Sequence, residues 1–178
     1  QEALIEDIKS NVIYRNAFEW RFEFPEVLDK DGNFKGFDVV IGNPPYVRQE
    51  EIKHLKPTLE KNFKIYNSIA DLYTYFIELG YNLLKLKGEF SFIISNKFTQ
   101  ANYGKVLRQF ITDNSIIREY LDFSGVPVFD NATVDASILS FEKSSEPLNV
   151  NTLKYSNISK EIVDLGIDAY LENNSIYY

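Results

Sequence analysis

The most chemically specific feature of the sequence is the tetrapeptide Asn43-Pro44-Pro45-Tyr46, which follows the apolar segment 37–42. Two consecutive prolines fix φ and carry no N–H groups, so their carbonyls face outward without pairing in a sheet. The side-chain oxygen of Asn43 and the carbonyl of Pro44 are therefore two acceptors suited to the two N–H bonds of an exocyclic amine. Such a grip favours a pyramidal nitrogen with its lone pair directed outward, and Tyr46 could stack on the flat ring that carries the amine.

The same tetrapeptide is also compatible with an ordinary strand-to-loop turn, because Asn and Pro are common turn residues. Its context favours a functional role. The run from Phe37 to Ile41 is typical of a buried parallel strand, and ligands of open α/β sheets bind at the carboxyl ends of the strands. The tetrapeptide occupies that end.

Hydrophobic periodicity predicts an α/β sheet in which strands and helices alternate in the order β-α-β-α-β-β. A helix is predicted to start near Ser68, with Ser68 and Asp71 as a capping box, and to stop at Lys87-Gly88. The order implies a mainly parallel sheet whose last two strands form an antiparallel edge. The remaining predicted elements are a helix over 103–111 and strands at 37–41, 89–95, 116–123 and 134–142.

The segments between these elements have less distinct patterns. We expect a short helix over 3–13, a turn over 29–36 and a mobile loop with about one helical turn over 47–67. Residues 144–178 are rich in Ser, Asn and Tyr and only weakly periodic. We therefore place a domain boundary near 144–150.

Composition limits the classes of function. The chain has 178 residues, 44% of them hydrophobic, which suits one domain with a real core. It has no cysteine, which excludes disulfides and thiolate metal sites, and no apolar run long enough to cross a membrane. Its net charge of −7 argues against binding duplex DNA unaided, although it permits a pocket for a single base. Gln1-Glu2-Ala3 reads as the start of an excised piece, and a cytosolic setting is compatible with the composition.

The segment FDVVIGNPPY, residues 37–46, resembles motif IV of the amino-group DNA methyltransferases. The segment FEWRFEFPEV, residues 18–27, resembles the stretch that precedes this motif in bifunctional type II restriction-modification enzymes. The resemblance extends from about residue 15 to about residue 143. It implies a partial catalytic subdomain over 1–143, the C-terminal half of a Rossmann-like methyltransferase domain. Residues 144–178 would then be a linker or the start of a target-recognition region.

The resemblance also implies an activity and its partners. The expected reaction is methyl transfer from S-adenosylmethionine to the N6 amine of an adenine flipped out of double-stranded DNA, with no metal and no membrane involved. No Gly-x-Gly turn occurs in the sequence, so we expect the main cofactor motif upstream of Gln1, in the remainder of a larger polypeptide. The protein would act in the cytoplasm of a bacterium or an archaeon. The isolated segment is expected to be inactive.

The family pattern assigns roles to individual residues. Asn43 and Pro44 would bind the adenine amine and Tyr46 would stack on the base. Phe129 matches the place of a second aromatic residue against the base, although a core or turn phenylalanine is an equal alternative.

Charged and polar residues outside the motif are less specific. Lys53, Lys56 and Lys97 are candidate DNA contacts, with a solvated face as the alternative. Asn96 is a weaker candidate for contact with the substrate strand. His54 is expected to be exposed, and no metal-ligand spacing is present.

Two other functions remain open. Protein-glutamine and RNA guanine methyltransferases share the Asn-Pro-Pro-Tyr tetrapeptide, and they lack a recognition domain after the sheet. A non-catalytic DNA-recognition module that retains the fold is an alternative of a different class.

Overall fold

The computed structural model describes residue 18 and residues 20–129, 134–146, 153–167, 170–171 and 176–177. The chain divides into two compact units, residues 1–36 and 37–178. The helix expected over 3–13 lies outside the described residues. Within the described part of the chain, every helix is too short or too polar to span a bilayer.

The first unit contains one short helix and a turn. Helix α1 is Trp20–Glu23, and a 3-10 turn follows at Pro25–Val27. The turn expected over 29–36 is confirmed: the carboxylate of Asp29 accepts hydrogen bonds from the backbone N–H groups of Asp31 and Asn33. Gly32 has φ +80°, a conformation that glycine adopts without strain.

The second unit is built around a six-stranded sheet in the order β1-β2-β4-β3-β5-β6. Strands β1, β2, β3 and β5 run in one direction, and β4 and β6 run in the other. The predicted α/β sheet, mainly parallel with an antiparallel edge, is confirmed. The strands are β1 Phe37–Gly42, β2 Leu84–Ser95, β3 Ser115–Asp122, β4 Ala136–Lys143, β5 Lys154–Asn157 and β6 Ile176–Tyr177.

Two details of the sheet differ from the expectation. The antiparallel pair of β3 and β4 is present, but β4 lies inside the sheet, between β2 and β3. This position explains its incomplete alternation, since Ala136, Leu139 and Phe141 are all buried. The outermost antiparallel strand is β6, and the sheet therefore continues past the boundary expected near 144–150.

Strand β1 is more exposed than the sequence indicates. It was expected to be buried, yet the side chains of Val39 and Ile41 are 58% and 79% exposed. Val40 packs beside Gly80 of α3, so Val39 and Ile41, which alternate with it, project from the opposite face of the strand. Among the described strands β1 pairs only with β2, and its open edge suits pairing with another strand.

Four helices of the second unit have both ends among the described residues: α2 Lys56–Asn62, α3 Leu72–Leu83, α4 Gly104–Asn114 and α5 Lys160–Leu165. The expected Ser68–Asp71 capping box is wrong, because α3 begins after Asp71. The Asp71 side chain makes no capping bond and instead accepts a hydrogen bond from the backbone N–H of Gln49 at 3.0 Å.

The expected helix stop at Lys87-Gly88 is also wrong. Helix α3 ends at Leu83 and β2 starts at the next residue. The ammonium group of Lys143 donates to the carbonyls of Tyr81 and Leu84, which satisfies acceptors at this helix end. Lys87 and Gly88 instead accompany a change of register between β1 and β2. A Cβ on Gly88 would lie 2.9 Å from the carbonyl oxygen of Phe37, so only glycine fits there.

Aromatic packing fixes α3 over the centre of the sheet. Phe90 on β2 stacks on Phe141 of β4, with ring centroids 4.3 Å apart. A Cβ on Gly80 would lie 2.6 Å from the Phe90 ring, so this glycine permits the close approach of α3. A second cluster, centred on Leu121, Phe123, Ala136 and Ile158, packs near the other end of the strands.

The segment 47–67 contains α2 and a preceding 3-10 turn, so its prediction as a mobile loop is wrong. Its apolar residues Ile52, Leu59 and Ile65 are buried in the main core. The carboxylate of Glu78 on α3, only 2% exposed, accepts the backbone N–H groups of Lys64 and Ile65 at 3.1 and 3.0 Å. This buried anchor holds the end of the segment against α3.

The Glu78 anchor can be tested by substitution. In Glu78→Ala the N–H groups of Lys64 and Ile65 lose their acceptor, at a cost of about 1–3 kcal/mol. Because each 1.4 kcal/mol is about a tenfold change, their hydrogen exchange should become roughly 10- to 100-fold faster in mass-spectrometric measurements. Glu60→Ala, on the exposed side of α2, is the matched control. Unchanged protection at residues 64 and 65 would contradict the anchor.

Candidate active site

The tetrapeptide 43–46 forms a corner directly after β1. Gly42 lies close to Phe92, since a Cβ there would be 3.0 Å from the phenylalanine ring. Pro44 is buried and fixes the corner, whereas the side chain of Asn43 is exposed. No described residue hydrogen-bonds to the Asn43 side chain. The amide therefore stands at the carboxyl end of β1, available to an external group.

Tyr46 is held in place by the neighbouring strand. Its hydroxyl donates a hydrogen bond to the backbone carbonyl of Ile93 on β2, at 3.1 Å. The side chain is half-buried, and burial raises its pKa from 10.0 to about 12. The corner after β1 is thus tied to the carboxyl-terminal end of β2.

The structure brings Phe129 against Tyr46. The two ring centroids are 5.7 Å apart and the rings meet edge to face at 60°. Phe129 also packs on the second apolar cluster, so its core role and its place beside Tyr46 coexist. The sequence expectation for the location of Phe129 therefore matches the geometry, while its contact with a base stays a prediction.

A small polar cleft of about 40 Å³ lies beside Tyr46. Roughly 10–15 Å³ of cavity volume suffices for one water, so this cleft holds a few waters and is too small for a purine. The rings of Tyr46 and Phe129 are in contact, and a base between them requires their separation. The cleft is lined by Tyr46, Arg48, Asp71, Tyr73, Ser95, Lys97 and Val134.

The start of α3 fixes the chain that leaves the corner. The backbone N–H of Leu72 donates to the carbonyl of Val47 at 3.0 Å, and Asp71 accepts the N–H of Gln49. Tyr46 thus stands between two supports, β2 on one side and α3 on the other.

The three candidate lysines have different surroundings. Lys97 is exposed and lines the cleft beside Tyr46. Lys56 donates to the side-chain oxygen of Gln49 at 2.7 Å. Lys53 and His54 are exposed on the 3-10 turn that precedes α2. Arg48, which the sequence did not single out, lines the cleft together with Lys97. In the part of the chain that the structure describes, no cluster of acidic or histidine side chains is arranged to hold a metal ion.

Asn96 was a weak candidate for contact with the substrate strand, and a place in a solvated loop was the favoured interpretation. Its side-chain NH₂ instead donates to the Asp122 carboxylate at 3.3 Å and to the Ser124 hydroxyl at 2.7 Å. Asp122 and Ser124 carried no sequence signal, because their contacts join strands that are distant in the chain. The carbonyl of Ile93 was equally invisible, since any residue type offers a backbone acceptor.

The burial of Tyr46 predicts a displaced titration. A raised pKa in the folded state stabilises the neutral phenol, so this contribution is complete below pH 10 and is lost as pH rises through about 12. We expect the ultraviolet difference titration between the protein and its Tyr46→Phe variant to show a midpoint near 12. A midpoint near 10, the value of an exposed tyrosine, would show that the Tyr46 side chain is solvated.

Several known proteins are similar in sequence to this chain. The methyltransferase M.BstVI of Geobacillus stearothermophilus is 45% identical over 98 residues, which are 53% of this chain and 17% of that protein. The restriction enzyme and methyltransferase RM.Eco57I of Escherichia coli is 31% identical over 113 residues, 61% of this chain and 11% of that protein. The methyltransferase M.HincII of Haemophilus influenzae is 30% identical over 143 residues, 76% and 28%. The chain thus spans between 11% and 28% of the length of these relatives.

Solved structures share the fold. A class I S-adenosylmethionine-dependent methyltransferase from Listeria monocytogenes superimposes with a TM-score of 0.54 at 23% identity, covering 81% of this chain and 46% of that one. The Type ISP restriction-modification enzyme LlaGI, solved as a nuclease-deletion mutant with a DNA substrate mimic, gives 0.56 at 16% identity, covering 80% and 14%. Residues 1–129 match the family described as Eco57I restriction-modification methylase. The chain belongs to the Eco57I restriction-modification methylase family.

Proposed function

We propose that this chain forms the base-binding side of a DNA methyltransferase that methylates the N6 amine of adenine, as part of a restriction-modification protein. The observation that carries the proposal is the corner after β1, where an exposed Asn43 amide adjoins a buried Pro44 and the ring of Tyr46. The relatives are named as type II methyltransferases, which favours DNA over protein or RNA as the substrate.

The two acceptors of the corner perform the chemistry. The oxygen of the Asn43 side chain and the carbonyl of Pro44 each accept one N–H bond of the adenine amine, whose lone pair is otherwise delocalised into the ring. Held in this way, the nitrogen becomes pyramidal and its lone pair points outward. The amine nitrogen would form the new N–C bond as the C–S bond of the sulfonium donor breaks, which releases a neutral thioether, and one N–H proton would then pass to solvent. An uncharged amide suits this position because it adds no full charge beside a sulfonium.

The two aromatic rings hold the base itself. Adenine must leave the duplex first, because its amine is otherwise paired and shielded by stacking. Tyr46 then stacks on one side of the base and Phe129 packs from another. Stacking of this kind contributes about 1–3 kcal/mol per base. Since Tyr46 is fixed through its hydroxyl, its ring offers the base a preset plane.

S-adenosylmethionine, when bound, supplies the methyl group as an electrophile. The donor set fits it: the group nearest the reacting amine is the neutral, exposed Asn43. The remaining cofactor contacts are assigned to another part of the polypeptide, because the sequence has no Gly-x-Gly turn. The open edge of β1 suits a further strand from that part, and the exposed face formed by Val39 and Ile41 suits a covering element.

The charge distribution is compatible with a division of labour on DNA. The net charge of −7 leaves most phosphate contacts to the rest of the protein. Lys97, at the cleft, is the best placed of the three lysines to contact the strand next to the flipped base, and Lys53 and Lys56 lie on the segment that follows the corner. Residues 144–178 are proposed as the passage toward a target-recognition region, and the cytoplasm as the place of action.

Substitution of Asn43 tests the catalytic assignment. In the full-length protein that carries this chain, Asn43→Ala should lower methylation at least about 100-fold, because one preorganised acceptor is lost. DNA binding should survive. Tritiated S-adenosylmethionine measures the rate, and mass spectrometry of the nucleosides identifies the methylated base.

Two observations would contradict this assignment. One is a wild-type methylation rate in Asn43→Ala, and the other is methyl incorporation only into protein or RNA. Asn82→Ala, an exposed position on α3, is the matched control and should leave the rate unchanged.

The DNA contact of Lys97 is tested by salt dependence. A side chain that neutralises one phosphate contributes about 0.9 to the slope of log K against log salt, so Lys97→Ala should reduce that slope by about 1. Lys87→Ala is the control, since Lys87 is exposed near the amino end of β2 and Lys97 follows its carboxyl end. Equal slopes for Lys97→Ala and the wild type would show that Lys97 does not contact a DNA phosphate.

A further inference from the structure

We propose that Asn96 is a positioning residue that holds the turn carrying Phe129 at a fixed place opposite Tyr46. The inference rests on the proposed function for the stacking role of the Tyr46 and Phe129 rings. It does not rest on it for their positions. It concerns four consecutive residues, the last three of β2, beginning at Ile93, and Asn96, which follows the strand. These residues contact both the Tyr46 side and the Phe129 side of the site.

The Tyr46 side is connected through Ile93. The carbonyl of Ile93 accepts the hydroxyl of Tyr46 at 3.1 Å. The side chain of Ile93 packs on the second apolar cluster, which also includes Phe129. The position of the Tyr46 ring is therefore set relative to the last residues of β2.

The Phe129 side is connected through Asn96. Its side-chain NH₂ donates to the Asp122 carboxylate, at the end of β3, and to the hydroxyl of Ser124, the second residue after that strand. Its backbone N–H donates to the carbonyl of Asp135 at 2.9 Å, just before β4. One residue thus joins the ends of β2 and β3 to the start of β4.

The turn itself is tied to the same network. The backbone N–H and hydroxyl of Ser124 donate to the Asp122 carboxylate at 3.0 and 2.7 Å. The N–H of Gly125 donates to the Asp135 carboxylate at 3.1 Å, and Gly125 takes φ +77°. Phe129, four residues further along, contacts the Tyr46 ring. The direction of the turn is hence set at its base, before the aromatic side chain is reached.

An amide is the side chain that this place requires. Asn96 offers two N–H donors to two acceptors, a carboxylate and a hydroxyl. A carboxylate of the same size would donate nothing and would be repelled by Asp122. Val126, Val128 and Phe129 pack on the second cluster, but packing of this kind is non-directional. The hydrogen bonds supply the direction that places Phe129.

The position of Phe129 can be measured directly. A fluorinated phenylalanine is placed at position 129 of the full-length protein, and its ¹⁹F resonance reports the neighbouring Tyr46 ring. Tyr46→Leu gives the resonance in the absence of that ring. Asn96→Asp, which keeps the volume and removes the donors, should move the resonance at least halfway toward the Tyr46→Leu value. Asn82→Ala should leave it unchanged. An unchanged resonance in Asn96→Asp would overturn the proposal.

Methylation kinetics test whether Asn96 acts through Phe129. Asn96→Ala should lower kcat about tenfold in the wild-type background and less than twofold in the Phe129→Ala background, as expected for coupled residues. Equal reductions in both backgrounds would overturn the proposal. If the resonance moves while kcat stays at the wild-type value, the positioning role stands and the stacking role of Phe129 in the proposed function fails. The two ideas therefore fail separately.

Discussion

The hydrogen bond from the Tyr46 hydroxyl to the Ile93 carbonyl is the interaction on which the geometry of the site depends. Strands β1 and β2 are parallel, so their carboxyl ends meet at one edge of the sheet. That pairing alone would leave the chain after β1 free to leave in many directions. The hydroxyl removes this freedom, and the buried Pro44 stiffens the three residues between the strand and the ring. The exposed Asn43 amide is then aimed by its neighbours on both sides, without any hydrogen bond of its own among the described residues.

Polar side chains play the same part wherever the chain lacks regular structure. Asp71 accepts the N–H of Gln49, and Glu78 accepts those of Lys64 and Ile65. A buried N–H without an acceptor is costly, so each carboxylate fixes the path of a segment that neither helix nor sheet could hold. Lys143 does the converse at the end of α3, where its ammonium satisfies two carbonyls. Burial lowers the pKa of this ammonium group, which donates hydrogen bonds to both carbonyls. Packing in the aromatic core buries these segments, and the few polar contacts fix the course of their backbone.

The sequence predicted what is local and missed what joins distant residues. Strands β1 to β4, α4 and the corner at 43–46 could be predicted because periodicity and proline chemistry act over a few residues, whereas β5 and β6 were missed in the weakly periodic segment after residue 143. The segment 47–67 misled because its buried residues Ile52, Leu59 and Ile65 follow no single period and are held by Glu78, which lies thirteen residues beyond Ile65. Strand β4 looked like an edge because it comes last in a series, whereas its place between β2 and β3 is decided by packing such as that of Phe90 on Phe141. Asn96 carried a plausible side chain at a plausible place, and only the structure shows that both of its donors are engaged.

The contact between Tyr46 and Phe129 links the architecture to the proposed reaction. With the rings edge to face, the cleft of about 40 Å³ is too small for a purine, so binding of a base between them would require the rings to separate. Tyr46 is tied to β2 by its hydroxyl, and the residues that follow it are tied to α3. Phe129 stands at the far end of a turn whose hydrogen bonds lie at its base, four and five residues earlier. Under the proposed function, the Phe129 side chain would rotate away while the base of its turn stays in place, and stacking on a flipped adenine would offset that displacement. Under the proposed function, a base that stacks poorly would leave the two rings in contact, so the closed pair would contribute to the selection of the substrate.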